Sequence, residues 1–226
     1  MKNEYIFIIQ TVFLALSSLA ALRLGSQALV AFICVQCLLA NLFVVKQISV
    51  LGFNSTAADA FTIGATLGLN LLQEYYGKNI SLKAVFINFF LLIFYAIVSQ
   101  IHLWYNPSSY DSMNIHFEPL LTVMPRIVIA SFSVFLISQT IDYWLYGVLR
   151  TVWQSRFLVL RNYSSILASQ FVDTVLFSLL GLYGIVENIG HIIIISYSIK
   201  VCAIILAVPF VALAKKTYNA ENQVKD

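Results

Sequence analysis

The sequence predicts an all-α fold, a polytopic transmembrane helical bundle of six or seven spans, and three observations carry that prediction. Of the 226 residues, 60% are hydrophobic and only 10% charged, against roughly 25% charged in soluble globular domains; there are too few charges to coat a soluble core. The mean hydropathy is strongly positive. The apolar residues also arrive in runs of the length a bilayer demands, roughly 20 residues per helical span. That leaves no room for a large soluble domain. Residues 1–226 read as a single integral membrane domain with a short cytoplasmic tail at 215–226.

Seven runs lie between the charges, at 5–22, 26–45, 56–76, 82–103, 125–149, 163–186 and 191–214. The first is preceded only by Lys2 and Glu4, a poor n-region for a signal peptide, so it reads as a retained helix. The second contains Cys34-Val-Gln-Cys37. With three cysteines in all and no charge in the surrounding run, that CxxC reads as packing, with no disulfide framework. The third run is semi-polar, carrying Asp59, Asn70, Gln73 and Glu74. A re-entrant early part there is what makes six spans the alternative to seven. Its Ala60, Gly64 and Gly68 recur every four residues, a small-residue stripe suited to close helix packing or to docking a partner. Between the fourth and fifth runs, a loop at 104–124 holds Pro107, Pro119 and the interfacial aromatics Trp104, Tyr105 and Tyr110.

In the seven-span reading, Arg23, Lys78, Lys83, Arg150, Arg156, Arg161, Lys215, Lys216 and Lys225 fall on one side, opposite Asp111, Glu118 and Glu187, with only Lys2, Lys46 and Arg126 near that opposite boundary. The positive-inside rule makes the cation-rich side cytoplasmic. The net charge of +3 thereby reports topology, and no basic patch calls for a nucleic acid. There is no GxxxxGK[ST] phosphate loop, no HExxH and no GxSxG, and His102, His116 and His191 stand near span ends. The sequence therefore reads as a protein that is not an enzyme, with no cofactor and no metal site.

Ionisable groups at membrane depth are costly and mark pathways, sites or buried pairs. Here they are Glu74, Asp142, Asp173 and Lys200, with Arg126 at the outer end of its run. Two consecutive runs carry the same pattern, Ser138-Gln139-Thr140-Ile141-Asp142 and Ser169-Gln170-Phe171-Val172-Asp173. Residues three apart share a helix face, so each Gln and Asp point the same way, and two antiparallel neighbours could bring all four together. A carboxylate accepts N–H donors and a carboxamide both donates and accepts, which suits the Watson–Crick edge of a guanine-like base. Tyr75, Tyr76, Phe132, Tyr143 and Trp144 are candidates to stack on it. The alternative is structural, with Asp142 and Asp173 paired to Lys200, Arg126 or neighbouring helices to hold the bundle. Lys200 lies near the midplane and calls for an acidic partner, whether Asp173 or Asp142, whose release would couple binding to rearrangement.

These residues resemble the queuosine precursor transporters of the vitamin uptake transporter group. The likeness runs through Asn41 and the segment ending at Gly52, and through Leu69-Asn70-Leu71-Leu72-Gln73-Glu74-Tyr75-Tyr76-Gly77. It continues through Arg126, Ala130, Ser131, Gln139 and Asp142, then Ser165, Gln170, Asp173 and Thr174, and ends at Lys200. The third run departs from the family's Thr-Asp and Asn at Leu69-Asn70 and Gln73. The resemblance implies import, across a bacterial inner membrane, of a deazaguanine base or queuine for tRNA modification. Substrate contacts would come from Asp142, Asp173, Gln139, Gln170, Glu74, Asn41, Asn70 and Arg126, with Lys200 as the coupling or charge-pair residue. The expected partners are a nucleobase-like small molecule and membrane lipid, with a second copy of the chain or an energising subunit left open.

The seven-span reading puts the N-terminus outside and the C-terminus inside. In a cysteine-free background, a membrane-impermeant maleimide added to intact cells should label Asn3→Cys and spare Val224→Cys; the reverse pattern, or labelling of both, overturns it.

Overall fold

The computed structural model describes residues 2–152 and 158–222; Arg156 and Lys225, two of the cations expected on the cytoplasmic face, lie outside the described residues. The helices are α1 (Lys2–Arg23), α2 (Ser26–Phe43), α3 (Asp59–Tyr76), α4 (Lys78–His102), α5 (Asn114–Thr122), α6 (Met124–Val152), α7 (Leu158–Phe177) and α8 (Ile189–Asn222). A two-stranded hairpin, β1 (Gln47–Val50) and β2 (Phe53–Thr56), stands between α2 and α3. The fold is an all-α polytopic membrane bundle. Among the described residues, five segments are long and apolar enough to cross a membrane, Lys2–Arg23, Ser26–Phe43, Lys78–His102, Asn114–Leu149 and Ser164–Leu182, and the apolar stretch Ile189–Ile205 is shorter. The backbone of α8 stays helical to Asn222, into the stretch read from sequence as a tail.

The bundle carries apolar side chains on its outer faces as well as in its core. Along α4, Phe86, Phe90, Ile93, Phe94, Ile97 and Ile101 are all exposed, on the helical spacing that keeps them on one side. Tyr5, Ile9, Phe13 and Leu16 do the same on α1. The interior buries Ser18, Gln36, Ser55, Asp59, Ser138 and Ser165 alongside an apolar core that includes Leu29, Ile33, Leu71 and Met124. Lipid is as apolar as Leu, so large apolar faces turn outward and small or polar residues hold the helices together.

The hairpin fills the stretch between the second and third apolar runs. β1 and β2 pair antiparallel from Gln47↔Thr56 to Val50↔Phe53. Leu51 and Gly52, both at positive φ (52° and 82°), make the two-residue turn, as type I′ hairpins require. Leu51 tolerates that conformation with its N–H donated to Glu4 Oε1 at 2.9 Å. Asn3 Nδ2 donates to the Ser49 carbonyl, also at 2.9 Å, so the start of α1 clamps the turn. The four-residue strands were hard to see because they sit between two long apolar runs.

Helix α3 has two faces with different duties. Gly64 and Gly68 face α1 and α2: a Cβ on Gly64 would lie 2.0 Å from Gln36 Oε1 and 3.0 Å from Leu14 Cβ, and one on Gly68 2.8 Å from Ile33 Cγ1. Gln36 and Ile33 are themselves almost fully buried. The small-residue stripe is thus spent on packing within the bundle and is not open to a partner. Asp59, Thr62, Thr66 and Asn70, spaced three, four and four apart, run down the side of α3 that lines an internal cavity.

Helices α6 and α7 lie side by side with opposite directions, Asp142 meeting Ser165 and Ser138 meeting Asp173. Beyond α7 the chain makes one π-helical turn, Ser178–Leu182. There Arg126 Nε donates to the Leu180 carbonyl at 2.9 Å and Nη2 to the Tyr183 carbonyl at 2.7 Å. A cation at a helix C-terminus satisfies carbonyls that have no partner within the helix.

Overpacking the α3 contact should cost about 1–3 kcal/mol. Gly64→Val is expected to lower the melting midpoint in detergent, whereas Gly147→Ala, where a Cβ meets nothing within 4 Å, should leave it unchanged; equal midpoints for the two would contradict the packing assignment.

Candidate functional site

Residues of α2, α3, α4, α6, α7 and α8 line a partly open cavity of about 410 Å³, with Thr66 and Gln139 exposed at its margin, within the range of small-molecule sites. Its wall is apolar where Ile33, Leu92, Phe135 and Phe177 contribute and polar along two opposed strips. One strip is the α3 series Asp59, Thr62, Thr66 and Asn70; the other is formed by Ser131, Ser138 and Gln139 of α6 with Gln170, Asp173 and Thr174 of α7.

Asp173 is the centre of this second strip. Lys200 Nζ reaches its Oδ2 at 2.6 Å, with the two side chains 16% and 24% exposed, and Ser138 Oγ donates to Oδ1 at 3.4 Å. Around this pair, the carboxamides of Gln139, Gln170 and Asn70 line the cavity with no hydrogen-bond partner among the described residues. Asn41 differs: its Nδ2 donates to the Cys37 carbonyl at 2.8 Å, and its Oδ1 accepts from Ser131 Oγ at 3.0 Å, tying α2 to α6.

Of the residues singled out from sequence, the cavity brings together Asn41, Asn70, Gln139, Gln170, Asp173 and Lys200. Asp142, Glu74 and Arg126 do not line it. Asp142 is bonded to Ser165 Oγ through its carboxylate at 2.5 Å and its carbonyl at 2.8 Å. Glu74 is exposed at the end of α3, and Arg126 caps the π turn. The repeated Ser-Gln-x-x-Asp pattern therefore does not converge symmetrically. Only the second Asp enters the cavity, and the Ser of the first repeat reaches over to it.

The candidate aromatics redistribute as well. Tyr143 and Trp144 are exposed, and Tyr75 and Tyr76 pack in the cluster formed by α1, α2, α3 and the start of α4. Phe132 sits edge-on to Phe89 at 4.9 Å. The rings on the cavity wall are Phe89, Phe135 and Phe177.

Two cavity residues escaped the sequence reading. Asn88 is a carboxamide with only apolar and aromatic neighbours from Ala84 to Val98, and its Oδ1 is buried without a partner among the described residues. Asp59 is 6% exposed and accepts hydrogen bonds from Ser55 Oγ at 2.8 Å and Ser196 Oγ at 2.9 Å. The signal for Asp59 was present, since it begins the polar stripe of α3. Its partners come from the hairpin and from α8, which no local pattern joins.

A multi-pass helical bundle with a polar, carboxamide-lined cavity and a partly buried ion pair at membrane depth is the architecture of a small-molecule transporter. Residues 56–214 match the family described as "Putative vitamin uptake transporter". The chain belongs to that family. It is also 31% identical over 195 residues, 85% of each chain, to a Bacillus subtilis (strain 168) protein named "Probable queuosine precursor transporter". No solved structure matches the chain.

Removing one partner of a buried ion pair strands the other. At this partial exposure Lys200→Met should cost about 2 kcal/mol, between the values for surface and fully buried pairs, while Asp173→Asn/Lys200→Met recovers most of the loss. Melting midpoints of the purified variants check this, and a double variant less stable than Lys200→Met alone would refute it.

Proposed function

We propose that this chain imports a queuosine precursor, a deazaguanine base or queuine, for use in tRNA modification, and that it does so in a bacterial plasma membrane. The observation that carries the reading is the set of unpartnered carboxamides, Gln139, Gln170 and Asn70, around the Asp173 carboxylate in one cavity. A guanine-like edge presents adjacent N–H donors and a carbonyl acceptor, which a carboxylate beside carboxamides can satisfy. The buried Asn88 Oδ1 adds an acceptor to the same wall. Phe89, Phe135 and Phe177 supply aromatic surface for the base plane. The name of the Bacillus subtilis relative supports the same substrate class.

In this reading Asp173, Gln139, Gln170, Asn70 and Asn88 contact the base, and Asn41 braces α2 against α6. Asp142, Glu74 and Arg126 belong to the path leading to and from the cavity. Lys200 holds Asp173 while the cavity is empty and yields it when the base binds. A ligand shifts a conformational equilibrium only by its differential affinity for the two states, and exchange of the Lys200–Asp173 pair for base contacts provides such a difference. Seven spans, with the hairpin outside, put the Asp59 end of the cavity toward the exterior.

Expression in a bacterium lacking both queuosine synthesis and its own precursor importer tests the proposal. Feeding the cyano base, the aminomethyl base or queuine should restore queuosine in tRNA for at least one of them. Asp173→Asn should lower uptake at least tenfold at normal protein level, a loss of about 1.4 kcal/mol or more, with Gln170→Ala close behind. No rescue by any base despite verified insertion would sink the reading.

A further inference from the structure

The cavity has a charge imbalance that substrate binding does not address. Its titratable side chains, among the described residues, are Cys37 on α2, Asp59 on α3, Asp173 on α7 and Lys200 on α8; α4 contributes none. Two carboxyls therefore share one ammonium, and that ammonium is held by Asp173 at 2.6 Å. Asp59, the more deeply buried acid, stands in the first turn of α3, accepts from the Ser55 and Ser196 hydroxyls, both on Oδ2, and from the Thr56 backbone, and feels the Lys200 charge only at a distance, with no ion pair of its own among the described residues. Other ionisable groups near this end stand outside the cavity: His191 packs edge-on to Phe53 at 5.3 Å, Glu4 accepts from the Leu51 N–H at the hairpin turn, Lys46 is exposed at the start of the hairpin, where its carbonyl accepts from the Ala57 N–H, and Glu187 is exposed with its N–H donated to Gln47 Oε1.

An unmatched carboxylate at membrane depth needs a cation or a proton. Its surroundings suit a proton. A serine hydroxyl donates to a carboxylate and, rotated, accepts from a carboxylic acid, so Ser55 and Ser196 can serve both states without rearranging the backbone. Ser196 and Lys200 are four residues apart on one face of α8, which places the Lys200 backbone about 6 Å along the helix from Ser196. The ammonium can therefore leave Asp173 and swing toward Asp59.

We propose that Asp59 is the proton-carrying carboxyl of this transporter, so that each base enters with a proton. The proton is taken from water at the hairpin end onto an Asp59 oxygen while Lys200 is engaged by Asp173. When the base takes over Asp173, Lys200 moves toward Asp59 and displaces the proton to water on the other side. This rests on the importer reading above, and it adds the energy source that the substrate contacts do not supply.

The test uses the full chain in proteoliposomes with the radiolabelled cyano-deazaguanine base, which is neutral, so that any charge moved is the protein's own. With the outside one pH unit more acidic, one proton per base drives accumulation of up to about tenfold, and a trapped pH dye should report acidification of the lumen. Asp59→Asn should equilibrate the base without accumulating it and without acidification, while exchanging preloaded base within about twofold of the wild-type rate. Ser196→Ala, which keeps the carboxyl and removes a donor to its charged form, should move the pH midpoint of uptake upward, and this readout stands even where Asp59→Asn fails to purify. Wild-type accumulation indifferent to the pH gradient or following a sodium gradient overturns the proposal. So does accumulation by Asp59→Asn, loss of exchange in a well-folded Asp59→Asn, or an unmoved midpoint in Ser196→Ala. Failure of the wild type to exchange any deazaguanine base would instead refute the importer reading itself.

Discussion

The close approach of α3 to α1 and α2 is the constraint on which the cavity depends. Lipid offers no hydrophobic drive for helices to associate, so contact surfaces must be smooth enough for many short-range contacts at once. Gly64 and Gly68 provide that smoothness, and the nearest side chains, Gln36, Leu14 and Ile33, already occupy the space a Cβ would take. With that face fixed, the opposite polar series from Asp59 to Asn70 has one place to go, the interior enclosed by the remaining helices. A semi-polar helix that would be a poor lone span becomes tenable because neither face meets lipid broadly.

The hairpin and α8 complete what α3 begins. A hairpin clamped by the start of α1 delivers Ser55 to Asp59, and α8 delivers Ser196 to the same oxygen and Lys200 to Asp173. One helix thus touches both acids of the cavity, a turn apart. The arrangement links the carboxamide-lined part of the wall to the deeply buried carboxyl through a single flexible cation, and a two-state transporter needs some such element whose position differs between its states.

The membrane character, the helical elements and most of the polar wall were legible in the sequence. The apolar runs coincide with the longer helices, and Asn41, Asn70, Gln139, Gln170, Asp173 and Lys200 were recognisable because a polar group among apolar ones stands out. The repeated Ser-Gln-x-x-Asp pattern was legible but misleading in its symmetry. Asp142 turns to Ser165, because two antiparallel helices present equivalent positions at different heights. Of the stacking candidates near the motifs, Tyr143 and Trp144 face outward and Tyr75 and Tyr76 pack away from the cavity, and the rings that line the cavity come from positions indistinguishable, in sequence, from lipid-facing phenylalanines.

What the sequence by itself determined is the solvent of this protein and the inventory of groups it can afford to bury: with 10% charge, the few acids and cations at membrane depth are necessarily part of a site or a pair. Only the tertiary structure decided which of them meet. Lys200 chose Asp173 over Asp142, and Asp59 acquired its partners from 4 and 137 residues away. Helical periodicity assigns a residue to a face, but which faces adjoin, and at what height, depends on packing between segments distant in the chain.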